Sequence, residues 1–453
     1  MLRHAGIRTT VILSAVLALT GTLALPATAS TPGPASASRP TTVATITNIS
    51  KNCSGSNAEV EQATHGQHVY EEWMNCGASG SIGFVSSADG GRTWSSAITL
   101  PGSAGAWDPA VTVSPEGVVY ASFMISVTAG NDTYTYPVVD VSDNDGVTFT
   151  ERAQLNPKVN NNWGDRDFIV AGPHGVVYLT WDYGPSAADV TTICSPSGSC
   201  GYATGDLNVV IQKSTDYGRT WGPIIHVSPG FPASGGDSAP LVLEHDGDIA
   251  IAYQGYDIYN TTTYAMNPGY TYFTQSSDGG TTWSAPVRIG AAVGTMSLDE
   301  WWIDGAIGED AAGDLYVTWD TQGATTDIGW LSFSSDHGRT WSPPIRVTPD
   351  TVNATHIVEV AGGKPGIAYV AWLADNAAGG YAEYLRPFSL RHGWLSGPVM
   401  VSRQYGDTNI WPGDTFGIST LPGGRVALSW GSAVGGSQNS AIWTTVVKVA
   451  ASG

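Results

Sequence analysis

The sequence predicts an all-β fold, a single β-propeller of four-stranded blades. Three observations carry this reading. The composition is rich in glycine and aromatics and poor in charge. Apolar residues alternate over short runs, with no sustained helical period. A strand-pair motif returns seven times along the chain, and an eight-residue box follows it in five of the seven modules.

The composition comes first. Of 453 residues, 56 are Gly and 26 are Pro, which implies many turns and few long helices. There are 17 Trp, 19 Tyr and 9 Phe, while charged residues reach only 13%. Charge-driven disorder is therefore excluded over most of the chain. The formal charge of −20 excludes nucleic acid and an anionic membrane as main partners, because both demand basic surfaces.

The N-terminus reads as an export signal over residues 1–29. Arg3 and Arg8 form a basic head, Val11 to Leu25 an apolar stretch, and Ala27-Thr28-Ala29 a small-residue cleavage site. The apolar stretch falls short of the ~20 residues a spanning helix needs, so no stable membrane insertion is expected. Residues 30–41 read as a flexible linker and 42–453 as the propeller. A secreted, extracellular chain with four cysteines suggests two disulfides, and the simplest pairing is Cys53–Cys76 with Cys194–Cys200. Four cysteines allow three pairings.

The repeat follows. One motif has the form S-x-D-x-G-x-T-W: Ser87 to Trp94, Ser214 to Trp221, Ser276 to Trp283 and Ser334 to Trp341. A degenerate copy, Ser142 to Phe149, carries Asn144 in the Asp position. The carboxylates of Asp89, Asp216, Asp278 and Asp336 suit the N–H groups of a tight turn, and the Gly supplies a positive φ. These five positions are read as structural. The second motif is a pair of apolar strands around a Gly turn, closing on an aromatic at 73, 123, 181, 253, 319, 372 and 430. Its copies begin at Glu59, Asp108, Arg166, Leu241, Asp304, Ile357 and Asp414. Seven modules give seven blades, or six if the weak first copy is not a full one. The last module lacks an outer strand, which Val43 to Ile49 is placed to supply.

The eight-residue boxes resemble the Asp-boxes, or BNR repeats, of the sialidase superfamily, over about residues 58–449. That resemblance implies a propeller with its Asp-boxes on the face opposite the active site. It also implies an exo-alpha-sialidase-like O-glycosyl hydrolase with an arginine triad, an Asp acid and a Tyr–Glu nucleophile pair. The chain has no F/Y-R-I-P motif, and Arg92, Arg219 and Arg339 lie inside the boxes. Arg166, Arg386 and Arg403 remain as cations for the active face, while Arg288 and Arg346 are expected to face solvent.

The starts of the innermost strands and the ends of the second strands should line a central funnel. Those positions are acidic and aromatic, which suits sugar stacking and carboxyl acid–base chemistry. The candidate catalytic residues are Asp165, Asp167, Asp299, Glu300 and Asp304, one carboxyl being drawn from each of two clusters. Regular alternation would put Asp165 and Asp167 on one side of their strand and Arg166 on the other. The candidate substrate-binding residues are Arg166, Trp107, Asp108, Asp182, Tyr183, Trp301, Trp302, Asp320, Trp411 and Asp414. No cofactor is required, though the acidic funnel offers a place for Ca²⁺. The expected partner of this monomer is a glycan or oligosaccharide. A non-catalytic glycan- or protein-binding propeller is the first alternative. A polysaccharide lyase using His356 with Arg166 or Tyr183 is the second.

Overall fold

In the computed structural model, seven four-stranded antiparallel blades follow one another along the chain. It describes residues 42–449 except 131, 157–163, 185–190, 195–199, 204–207, 231–232, 236–238, 260–265, 295–304, 322–326, 350–354 and 377. The proposed export signal and linker lie outside the described residues. The innermost strands are Ala58–His65, Trp107–Val113, Gly164–Ala171, Leu241–Leu243, Ala306–Glu309, Thr355–Gly362 and Gly417–Leu421, in blades 1 to 7. Among the described residues the only helical segment is the short 3-10 turn Pro173–Gly175.

The ring closes as the sequence suggests. Blade 7 takes its outer edge from the N-terminal segment: Thr42–Val43 and Thr47–Asn48 both pair antiparallel with Ala441–Lys448. The Cys53–Cys76 disulfide then ties that segment to the second strand of blade 1. Cys194 and Cys200 stand directly opposite one another in the hairpin Thr191–Cys194/Cys200–Ala203. Their side chains lie outside what is described.

Each blade is held by its closing aromatic. Trp73, Phe123, Trp181, Tyr253, Trp319, Trp372 and Trp430 are all 2% exposed or less. Burying one such side chain is worth ~1.5–3 kcal/mol before entropy is counted, so the aromatic column is the main apolar glue of the ring. The residue before the aromatic is small in most blades. In blades 3 and 5 it is a threonine whose hydroxyl reaches the next blade: Thr180 donates to the Ala239 carbonyl at 2.8 Å and Thr318 to the Val358 carbonyl. In blade 1 that position is Glu72, fully buried.

The Asp-boxes sit between the third and fourth strands. Antiparallel pairing puts them at the end where the innermost strand finishes, opposite the end where it starts. In blade 1, Thr93 N–H donates to Asp89 Oδ1 at 2.9 Å, Thr93 Oγ1 donates to Oδ2 at 2.7 Å, and Gly91 N–H donates to Ser87 Oγ at 3.0 Å. Asp216, Asp278 and Asp336 repeat the carboxylate–threonine bonds. These bonds favour the ionised form and hold each of the four carboxyls down at about 2. Asn144 keeps the Thr148 N–H bond but donates to the Thr148 hydroxyl instead of accepting from it.

Candidate active site

The innermost strands are not regular where the funnel begins. In blades 1, 2, 3 and 6 the register slips near the strand start, between Ala58 and Val60, Trp107 and Ala110, Asp165 and Phe168, and His356 and Val358. Inside each slip sits a non-glycine residue with positive φ: Glu59 at 49°, Asp108 at 49°, Arg166 at 54° and Ile357 at 50°. Such φ values are uncommon and cost energy, so four equivalent occurrences mark a built-in bulge that breaks the alternation at the strand start. The bulge overturns the expected alternation. Asp165 and Asp167 do not form a simple pair with Arg166 on the far side, because the extra residue breaks the period at Arg166.

The bulges are chained from blade to blade. Asp108 N–H donates to Glu59 Oε2 at 3.3 Å, and Arg166 N–H donates to Asp108 Oδ2 at 2.6 Å. The Arg166 guanidinium donates to Asp414 Oδ2 at 2.7 Å, with both side chains 6% exposed or less. Asp414 is carried by a loop of blade 7 that packs on blade 1, where Val60 N–H donates to the Thr415 carbonyl at 3.1 Å. Gly413 permits this approach, since it has φ +105° and any Cβ there would overlap the Glu59 backbone. Beside the chain, Trp107 Nε1 donates to Asp165 Oδ1 at 2.7 Å.

Asp414 pairs with the Arg166 guanidinium, and Glu59 and Asp108 lie close enough to feel its charge. Burial, then the charges of Asp414 and Asp108, push Glu59 well above the usual carboxyl range, and Arg166 only partly offsets them. Asp108 is also pushed well up, by burial first and the Asp165 charge second, and it hydrogen-bonds the Asp165 carboxyl. Both shifts favour the protonated forms of Glu59 and Asp108. Glu59 is buried, whereas Asp108, Asp165 and Trp107 keep some solvent exposure. Of the two, Asp108 is the one that a ligand in the funnel can reach.

Deeper in, a second set of carboxyls is buried among blades 1 to 3. Neither carboxyl oxygen of Glu72, Asp140 or Asp167 has a hydrogen-bond partner. Burial raises Glu72 and Asp167 strongly and holds Asp140 and Glu61 at about 8. Glu61 and Glu359 face a cavity of about 200 Å³ that is also lined by groups such as Phe168, Leu241, Ile307 and Phe416, so that the innermost strands of six blades or their starts contribute to it. Glu59, Glu61, Glu72 and Asp140 were not among the residues expected from sequence. Glu59 had a visible signal, because it heads the same repeat column as Asp108 and Arg166.

The other expected residues scatter. Asp182 faces Asp165 in register but is 1% exposed, and Asp320 is 3% exposed, so both present almost no surface to a ligand. Tyr183 is half-buried and packs edge-on against Trp181 and His226. Trp411 is 42% exposed and free to stack on a sugar. Asp299, Glu300, Trp301, Trp302 and Asp304 lie outside the described residues. Arg386 is removed from the funnel: it donates to the Ser396 and Val347 carbonyls and lies over the Trp394 ring. Arg403 reaches the Val43 carbonyl at the ring closure. Arg288 is 48% exposed but ion-pairs with Asp257, so it is only partly a solvent-facing group. Among the described residues no arginine triad faces the funnel.

No family model matches the chain, and no curated protein matches it. Solved structures do share its architecture. A protein of unknown function from Dyadobacter fermentans superposes with a TM-score of 0.53 at 12% identity, covering 90% of this chain and 99% of the other. An ulvan lyase, a polysaccharide lyase, superposes with a TM-score of 0.56 at 12% identity, covering 88% and 95%. The NanB sialidase of Streptococcus pneumoniae is a more distant match, with a TM-score of 0.43 at 12% identity over 88% and 69%. At these identities the similarity establishes the propeller fold alone.

Proposed function

We propose that this chain is a secreted carbohydrate-active enzyme that hydrolyses a glycosidic bond in an extracellular, uncharged glycan. The observation that carries the reading is the contact of the Asp108 and Asp165 carboxyls at the funnel mouth, where burial and the Asp165 charge favour the protonated form of Asp108. A carboxyl held neutral at working pH is what a general acid for a leaving glycosidic oxygen needs. Trp107 orients Asp165 through its indole N–H, and Trp411 offers an exposed ring beside the start of blade 7. The fold is shared with a solved polysaccharide lyase, which fits a sugar-directed role.

The two hydrogen-bonded carboxyls serve one side of the scissile bond. A hydrolytic pair stands ~5–9.5 Å apart, so the opposing carboxyl belongs to another blade. The sequence offers Asp299, Glu300 and Asp304 for that part. An acidic substrate fits poorly. A sialic acid carboxylate needs free guanidinium groups, whereas Arg166 is already paired with Asp414 and ringed by carboxyls. The fold itself is compatible with many activities.

One observation favours a lyase instead. His356, 12% exposed, has Nε2 at 3.5 Å from Asp375 and Nδ1 at 4.0 Å from Asp327, an arrangement suited to a base. Product masses from a panel of neutral and uronate-containing polysaccharides separate the readings. Hydrolysis adds one water per cleavage and is lost in Asp108→Asn. Elimination yields an unsaturated uronate and is lost in His356→Ala. Tight glycan binding with no product from either class would contradict both and leave a binding propeller.

A further inference from the structure

The face opposite the funnel carries a cluster that the glycan reading does not use. Glu244 and Asp246 lie on the turn between the first two strands of blade 4, and His337 lies in the Asp-box of blade 5. His337 Nδ1 stands 3.5 Å from Glu244 Oε2 and 3.5 Å from Asp246 Oδ2. One donor atom from each residue lies within 4.8 Å of the other two.

These separations are too long for hydrogen bonds, which run ~2.7–3.2 Å for nitrogen and oxygen. They match something else. Two ligand atoms bound at ~2.0–2.2 Å to one tetrahedral ion lie ~3.3–3.6 Å apart. The Glu244 side chain is fully buried, and its Oε2 has no hydrogen-bond partner. Gln275 donates to the other oxygen, Oε1, and so leaves Oε2 turned toward His337. A buried carboxylate oxygen aimed at an imidazole it does not bond is costly unless a cation sits between them.

The box position explains why the imidazole is there. His337 has φ 57°, and the equivalent residues Gly90, Asp145, Tyr217 and Gly279 are also at positive φ. In blade 2 this residue likewise reaches back to the preceding blade, where Asp145 lies 3.8 Å from His68 Nδ1. At the blade 4–5 junction it brings a nitrogen donor to two carboxylates. Glu309 nearby has its own partner in His245, at 2.9 Å.

We propose that Glu244, Asp246 and His337 form a site for one divalent transition-metal ion, with zinc the first candidate, that clips blade 4 to blade 5. One imidazole and two carboxylates give a mixed nitrogen–oxygen set with room for water as fourth ligand. Calcium, which takes six to eight oxygens, does not fit the set. His337 and Asp246 are 46% and 47% exposed, so the ion reaches the site from solvent.

The test uses the chain stripped with a chelator and dialysed, then titrated with zinc chloride by calorimetry and followed by thermal unfolding. The expected result is one ion per chain and a Tm that rises with zinc and not with calcium. His337→Gly copies the residue that the blade 1 and blade 4 boxes already hold at this position, and Asp246→Asn changes an exposed side chain. Both variants should fold like the stripped parent and bind zinc at least ~10–100-fold more weakly. No zinc-dependent stabilisation of the parent overturns the proposal. So does equal stabilisation of the parent and His337→Gly, which would mean adventitious surface binding, or an equal response to calcium.

Discussion

Asp108 differs from the many other acids of the chain in one combination of properties. Its protonated form is favoured, it touches a second carboxyl, and it keeps some surface in the funnel. Asp108→Asn retains an oxygen for the Arg166 N–H but cannot give up a proton. Cleavage should fall ~10²–10⁴-fold with the Tm almost unchanged, as steady-state rates and a melting curve would show. Asp165→Asn should act differently. Removing the neighbouring negative charge lowers the Asp108 pKa, so the alkaline limb of the rate profile moves to lower pH. At this scale the sequence was half legible. Asp108 and Arg166 stand out in the repeat column that begins the modules. The conformation that makes them converge does not, because a bulge depends on cross-strand register and not on local pattern. Glu72 is the reverse case. It breaks a column of small residues, and what its burial does beside Asp167 became visible only with the blades in place.

The Asp-box was read from sequence almost completely, because its bonds are local: Ser, Asp, Gly and Thr satisfy one another within eight residues. Its contact with the neighbouring blade was not visible. The box glycine combines a positive φ with close approach to the blade before it. A Cβ at Gly338 would overlap the Phe273 ring, and one at Gly146 would lie 2.6 Å from Phe84. Gly338→Ala should therefore destabilise by ~1–3 kcal/mol, from backbone strain and overpacking together, and leave activity per folded molecule intact. Urea unfolding with a parallel assay checks both parts. A stability unchanged within ~0.5 kcal/mol would show that the box does not cement blade to blade.

The ring as a whole is closed by the N-terminal segment and its disulfide. The Cys53–Cys76 link spans 23 residues, so Cys53→Ser should cost ~3 kcal/mol of unfolding free energy, measured against the oxidised parent. Blade number and closure were legible because a period over hundreds of residues has few other physical solutions. The buried charge was not. Glu61, Glu71 and Asp140 have folded pKa values near 8, each raised first by burial. Their unfolded values lie at ~4, so the folded state binds extra protons between about pH 4 and pH 8. The stability they contribute is fully present below that window and is lost as pH rises through it. The Asp-box carboxyls act in the opposite sense, since their stability is lost as pH falls from ~4 toward 2. Thermal unfolding should show its highest Tm at mildly acidic pH and a decline toward pH 8. A Tm that climbs from about pH 5 to pH 8 would mean these carboxyls ionise without cost.

The most direct single measurement is the pH dependence of kcat/KM for a cleaved neutral glycoside, in the parent and in Asp108→Asn. The parent should lose activity on the alkaline side, at a pKa well above the ordinary carboxyl range, and the variant should lose both the rate and that limb. A variant with the parent's rate and the parent's alkaline limb would remove Asp108 as the proton donor and, with it, the carboxyl-pair mechanism.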